Sequence, residues 1–180
     1  MIVSENIRSL TADLSRWKLY RNRSCRVLLQ IADPQQIYNV PGRAGVVYNE
    51  PEDAYETVRE GCFVVTGVMG EMWVIPPAAL PKYNIDPAAL TRTPQPADTI
   101  ETDAVYAGIR IPAETEFTLV TDYGELVTLR GNRRGFPHGE GDFVLCFARQ
   151  ENGIWVPDPD DLGRIVNGTA FPQLYRPFTE

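Results

Sequence analysis

The chain writes nearly the same passage twice. "EGCFVVTGVMGEMWVIPPAAL" begins at Glu60, and "EGDFVLCFARQENGIWVPDPDDL" begins at Glu140. Gly61-Cys62-Phe63-Val64-Val65 lies over Gly141-Asp142-Phe143-Val144-Leu145, and Trp73-Val74 lies over Trp155-Val156. The Gly-to-Trp spacing is 12 residues in the first copy and 14 in the second. Two added residues lengthen a hairpin loop without turning the strand's faces over. Upstream, "VLLQIADPQQIYNV" parallels "VYAGIRIPAETEFTLV"; downstream, Lys82-Tyr83 closes one copy as Leu174-Tyr175 closes the other. A unit of this size is marginal alone. The duplication therefore predicts two small β-units packed together.

The rest of the chain fits short elements and many turns. Its 180 residues include 15 prolines and 14 glycines. Apolar runs such as "CRVLLQIA", "AGVVYN", "GCFVVTGV", "EFTLVT" and "GDFVLCFA" are bounded by Pro, Gly, Asp and Asn, the pattern of antiparallel strands. At the N-terminus, Val3, Ile7, Leu10, Leu14 and Trp17 are spaced 4, 3, 4 and 3, one face of a helix. Ser4 is its candidate N-cap, and Glu5 sits where the helix dipole favours negative charge. "TRTPQPADTIETD" is polar and without period, and reads as a linker. The expected fold is mainly β with one N-terminal helix, in two repeated antiparallel sheet or barrel-like units. The expected divisions are an amphipathic helix over 1–22, a first β-unit over 23–90, a Pro-rich linker over 91–103 and a second β-unit over 104–180.

Charge narrows the functions. The net charge of −7 argues against direct nucleic-acid binding, which needs a basic surface to neutralise phosphates. Residues 1–26 carry six basic and two acidic side chains, so a basic end precedes an acidic body. Either the two meet within the chain, or one of them meets a charged partner. Three cysteines without metal-ligand spacing (Cys25, Cys62 and Cys146) fit a reducing compartment. Without a signal-type or spanning segment, the expected location is the cytoplasm and no membrane contact.

Motifs of known chemistry are few. No Walker loop, nucleophile elbow or paired Cys/His arrangement occurs, and no cofactor is expected. "GNRRGFPHGEGD" (131–142) gathers Arg133, Arg134, Phe136, the single histidine His138, and Glu140 on glycine-rich backbone. Guanidinium groups beside an aromatic ring suit an anion or a nucleotide phosphate, and His138 with Glu140 could form an acid–base pair. The same letters also describe a solvated hairpin loop. His138, Glu140 and Asp142 alternate, but the glycines between them favour a loop, and no metal site is expected. "DPDD" at Asp158–Asp161 lacks the spacing of a calcium loop and reads as a capped turn. Trp73 and Trp155, taken as equivalent, read as matched core or interface aromatics of the two units.

"GCFVVTGVMGEMWVI" followed by "LPKY" resembles the PGDYG-type proteins, small proteins frequent in phages and bacterial mobile elements. Gly61, Phe63, Val65, Thr66, Gly67, Gly70, Glu71, Trp73 and Tyr83 sit at the matching places, with Cys62 where Asp is usual. Copy two has Asp142 but lacks the Thr-Gly and Gly-Glu pairs. The resemblance covers about a third of the chain and implies an accessory protein rather than a reaction. The expected function is a non-enzymatic binding or accessory protein that meets a host protein or a small anionic ligand. The alternatives are an enzyme acting on a nucleotide-like substrate through the His138/Glu140 loop, and a structural or assembly protein.

Overall fold

The computed structural model describes residues 4–5, 13–50, 54–110, 116–120, 126–130, 142–158, 160–161 and 163–179. The strands are β1 (Ser4–Glu5), β2 (Lys18–Asn22), β3 (Arg26–Ile31), β4 (Val46–Asn49), β5 (Ala54–Thr57), β6 (Phe63–Thr66), β7 (Met72–Ile75) and β8 (Tyr83–Asn84). They continue as β9 (Gln95–Thr99), β10 (Tyr106–Arg110), β11 (Glu116–Val120), β12 (Leu126–Arg130), β13 (Phe143–Glu151), β14 (Ile154–Pro157), β15 (Arg164–Val166) and β16 (Tyr175–Pro177). The one α-helical turn described, α1, is Phe171–Leu174. Among the described residues no helix is long and apolar enough to cross a membrane.

Among the described residues, the amphipathic helix expected over 1–22 is not present. Ser4–Glu5 is a strand, Leu14–Arg16 is a single 3₁₀ turn and Lys18–Asn22 is a strand. Asp13 caps the turn, its Oδ1 accepting from Ser15 N at 3.2 Å and Ser15 Oγ at 2.6 Å. Trp17 then leaves it in extended conformation. Leu14 is half exposed and Trp17 buried, while Val3, Ile7 and Leu10 lie outside the described residues. A helical spacing is a weak preference beside the backbone bonds that β2 makes to β10 and β16.

The chain divides into two units, residues 1–22 with 102–180 and residues 23–101. The second unit is thus inserted between β2 and β10. Its sheet has the order β7-β6-β3-β9-β8, with the β4–β5 hairpin as a separate two-stranded sheet. The first unit's main sheet has the order β14-β13-β10-β2-β16, with β15 also on β13, and β1-β11-β12 form a three-stranded sheet. Every pair along both main sheets is antiparallel. Both are open paths with two ends, so the barrel-like expectation is also corrected.

The two main sheets share one plan, fixed by register. Tyr83 stands opposite Thr99 as Tyr175 stands opposite Asn22. Phe63 stands opposite Ile31 and Ile75; Phe143 stands opposite Arg110 and Val166. A short helical segment precedes the closing strand in each, Pro77–Lys82 before β8 and α1 before β16. The segment 91–103, expected as a linker, therefore contains the strand β9, bonded to β3 and β8. Its Pro96 escapes the usual penalty for an interior strand. β8 reaches only Asp98 and Thr99, so Pro96 lies past its end, where β9 is bonded on one side.

The cores show how one plan accepts two sequences. Val27, Leu29, Val65, Ile75 and Ala97 pack in the inserted unit; Tyr20, Tyr106, Leu145, Val166 and Phe171 pack in the other. Leu29 with Ala97 is replaced by Gly108 with Tyr20. Gly108 has no alternative there, because a Cβ would stand 2.9 Å from Tyr20 Cε2 and 3.0 Å from Leu145 Cδ1. We predict that Gly108→Leu destabilises the unit that contains it, an overpacking cost of about 1–3 kcal/mol. Adding Tyr20→Ala, which imports the other unit's pair, should recover part of the loss. Urea denaturation of both variants checks this; equal instability of single and double variants would refute the exchange of volumes.

Candidate functional site

The loop residues Arg133, Arg134, Phe136, His138 and Glu140 lie outside the described residues. What the structure gives is the frame at the loop's end. Asp142 Oδ1 accepts a bond from Gly168 N at 3.2 Å. Phe143 stacks on Phe171 with ring centroids 3.8 Å apart, and Tyr20 meets Phe171 edge-on at 4.8 Å. The Arg110 guanidinium lies 5.9 Å from the Phe143 ring. The loop thus runs into β13 at a point fixed by three packed rings and one charge-assisted bond.

Comparison of the two copies singles out this connection. In the inserted unit, residues 58–62 join the β4–β5 hairpin to β6; in the other unit, residues 131–142 join the β11–β12 hairpin to β13. The second connection is more than twice as long, and it holds both adjacent arginines and the only histidine.

A second cluster was not legible in the sequence. Tyr106 and Phe147 face each other across β10 and β13 and stack at 5.0 Å. The Arg164 guanidinium stands 4.8 Å from the Phe147 ring and 5.4 Å from Tyr106. Asp161 holds Arg164 at 3.4 Å and accepts Phe147 N at 2.6 Å. Phe147 is 40 % exposed, so this cation–aromatic stack has an open side. Its register hides it from the sequence. Trp73 stands opposite Val65, but Trp155 stands opposite Gln150, far along β13. The residue opposite Leu145, the counterpart of Val65, is Arg164. The two tryptophans are therefore not equivalent; Trp155 instead meets Phe178 edge-on at 5.9 Å.

The residues that carry the PGDYG resemblance have structural work in this chain. The Gly67–Glu71 turn joins β6 to β7, with Gly67 N donating to Glu71 O at 2.8 Å. Glu71 folds back into its own turn and accepts Met69 N at 2.8 Å. Its carboxylate occupies the space a Cβ on Gly67 would need. Gly70 takes φ +83°, a value that favours glycine. Trp73 and Tyr83 pack on the same core; burial pushes the Tyr83 phenol up to about 12, and the Trp73 hydrogen bond pulls the other way.

The acidic run at Asp158–Asp161 is a turn. Asp158 Oδ1 accepts Asp160 N at 3.1 Å, and Asp161 Oδ1 accepts Gly163 N at 3.2 Å. Among the described residues, no three His, Cys, Asp or Glu side chains gather as a metal would require. Cys146 is fully buried; burial and the nearby Asp161 carboxylate push its thiol up to about 12. No family model, curated protein or solved structure matches this chain.

Two outcomes test these assignments. Gly67→Ala should lower stability by about 1–3 kcal/mol as an overpacked turn, and Glu71→Ala in the same chain should reduce that penalty; a melt unchanged by Gly67→Ala would remove the turn from its structural role. Cys146 should resist maleimide at pH 8 in the folded chain and react once urea is added. Labelling of Cys146 at the same rate in both states would contradict its burial.

Proposed function

We propose that the chain is a non-enzymatic binding protein that takes a small anionic ligand through the 131–142 loop. The observation that supports this reading is the comparison of copies: one sheet plan is used twice, and the connection after the accessory hairpin is enlarged in only one of them. A loop can vary on a fixed scaffold without disturbing its core, which is why such segments carry function. Arg133 and Arg134 supply paired guanidinium groups for the anion, Phe136 a stacking face, and His138 and Glu140 polar contacts. The glycines at 131, 135, 139 and 141 allow the curl that brings adjacent arginines to one ligand. The resemblance adds a setting: an accessory protein encoded by a phage or mobile element, acting in the host cytoplasm. A host protein with a basic surface is the second partner, favoured by the net charge of −7 through charge complementarity.

Thermal denaturation with inorganic phosphate, pyrophosphate and adenosine monophosphate tests the ligand. A bound anion at a hundred times its Kd stabilises the folded chain by about 2.7 kcal/mol. We expect at least one probe to raise the melting temperature. We expect that rise to vanish in the R133A/R134A double variant, whose own melting temperature is expected to stay within about 2–4 °C of the parent if each substitution costs no more than about 0.5 kcal/mol. A rise that survives the double substitution moves the site elsewhere, and no rise with any probe overturns the anion reading.

A further inference from the structure

The slot filled by β2 in one sheet is the slot filled by β9 in the other. Both strands have five residues, and both lie between an inner strand (β10 or β3) and a two- or three-residue closing strand (β16 or β8). Their places in the sequence, however, are crossed. β2 precedes β3 by the three residues 23–25, and β9 precedes β10 by the six residues 100–105. Each therefore opens one sequence repeat and pairs in the sheet of the other. At each chain crossing, the last residue of the exchanged strand accepts a backbone N–H through its side chain. Asn22 Oδ1 accepts Thr102 N at 3.0 Å, and its counterpart Thr99 accepts Cys25 N at 2.9 Å on Oγ1.

The alternative is within reach of the connectors. Antiparallel neighbours can be joined by short hairpins, so β2 could fold back on β3 and β9 on β10. Two features reject that closure. The first is charge. Arg26 holds Asp98 with two bonds, Nε to Oδ1 at 2.9 Å and Nη2 to Oδ2 at 3.1 Å. In the folded-back register Arg21 would take the place of Asp98 and face Arg26, and like charges directly opposite are destabilising. Where it now stands, Arg21 is answered by Asp103 at 3.7 Å and by the Phe178 ring at 4.9 Å. The second feature is size. Folding back would set Tyr20 against Leu29 and Ala97 against Gly108, overpacking one core and leaving a void in the other.

We infer that this chain is a strand-exchanged dimer of two half-length protomers joined end to end, residues 18–93 and 94–180, in which each half accepts the opening strand of the other and rejects its own. The recognition is strand addition: backbone bonds give affinity, and the Arg26–Asp98 and Tyr20–Gly108 pairs give the address. The partner each half fits is the other repeat.

The test keeps every residue of the chain. A site-specific protease sequence is inserted between Thr93 and Pro94, and the folded protein is cut there. The two fragments are expected to elute together in native buffer at the mass of the whole chain, 20.2 kDa before the insertion, and to separate in urea. R26D and D98R should each raise the fragments' dissociation constant about two- to fivefold, the range of an exposed ion pair, and R26D/D98R should restore it to within about twofold. Fragments that part in native buffer while each keeps its β-sheet signal would overturn the inference. So would fragments that stay together while the effects of R26D and D98R simply add, since β9 would then not be pairing across the cut. If the insertion itself unfolds the chain, the same double-substitution cycle is run by urea denaturation on the uncut protein. There, coupling between positions 26 and 98 supports the exchanged pairing, and strict additivity overturns it.

Discussion

Both sheets depend on one strand supplied from the opposite repeat. β2 and β9 are bonded on both sides over part of their length, so without them β16 and β8 have nothing to pair with. A two- or three-residue edge strand has little stability of its own. Backbone bonding alone would accept any strand in this slot. The choice is made by two side-chain positions, the central residue that enters the core and the charged residue beside it. Ala97 fits under Leu29, Tyr20 fits over Gly108, and Asp98 answers Arg26. Arg26 and Asp98 are largely in solvent, and the Arg26 hydrogen bond holds the Asp98 carboxyl below its ordinary range. Such a pair adds little stability and is better suited to choosing between partners.

The dependence on distant partners explains what the sequence does and does not disclose. The β3, β6, β10 and β13 segments are legible because their apolar runs are long, and several successive residues are buried. In β2 and β9 only the central residue of five is buried, Tyr20 and Ala97. A single buried position has no period to detect. β2 was therefore overwritten by the 4-3-4-3 spacing of its N-terminal neighbours, and β9 by Pro94 and Pro96. Neither strand has a near neighbour to pair with: the partner of Tyr20 is Tyr106, and the partner of Ala97 is Val27. The equivalence of Phe63 and Phe143 was readable from their shared surroundings, whereas that of Trp73 and Arg164 needed the register.

The Gly67–Glu71 turn shows how a motif can look functional for structural reasons. A glycine pair, a glutamate and two aromatics at fixed spacing are what a binding site would offer. Here the glutamate carboxylate bonds a backbone N–H within its own turn, the glycine leaves room for it, and the aromatics pack on the core. Copy two dispenses with this device. Its β13–β14 hairpin turns instead at Asn152-Gly153, both at positive φ, and β13 extends to nine residues. The extension splits the strand's partners: Phe143–Leu145 pair with β15, and Ala148–Glu151 pair with β14.

That split gives copy two a side-chain cluster that copy one lacks. In copy one β6 is covered along its length by β7, and the position opposite Val65 is filled by Trp73. In copy two the corresponding position is Arg164, and the exposed face beside it presents Phe147 over Tyr106. At the start of the same strand, Asp142 is tied to Gly168 and Phe143 is clamped on Phe171. One end of β13 is therefore held by packed rings and a backbone bond, and its middle carries a cation–aromatic stack. Both features fall on β13, while the order of the five-strand path is common to both sheets. One five-strand order thus carries a short β6 paired along its length with β7 in one copy, and an extended β13 shared between two partners in the other.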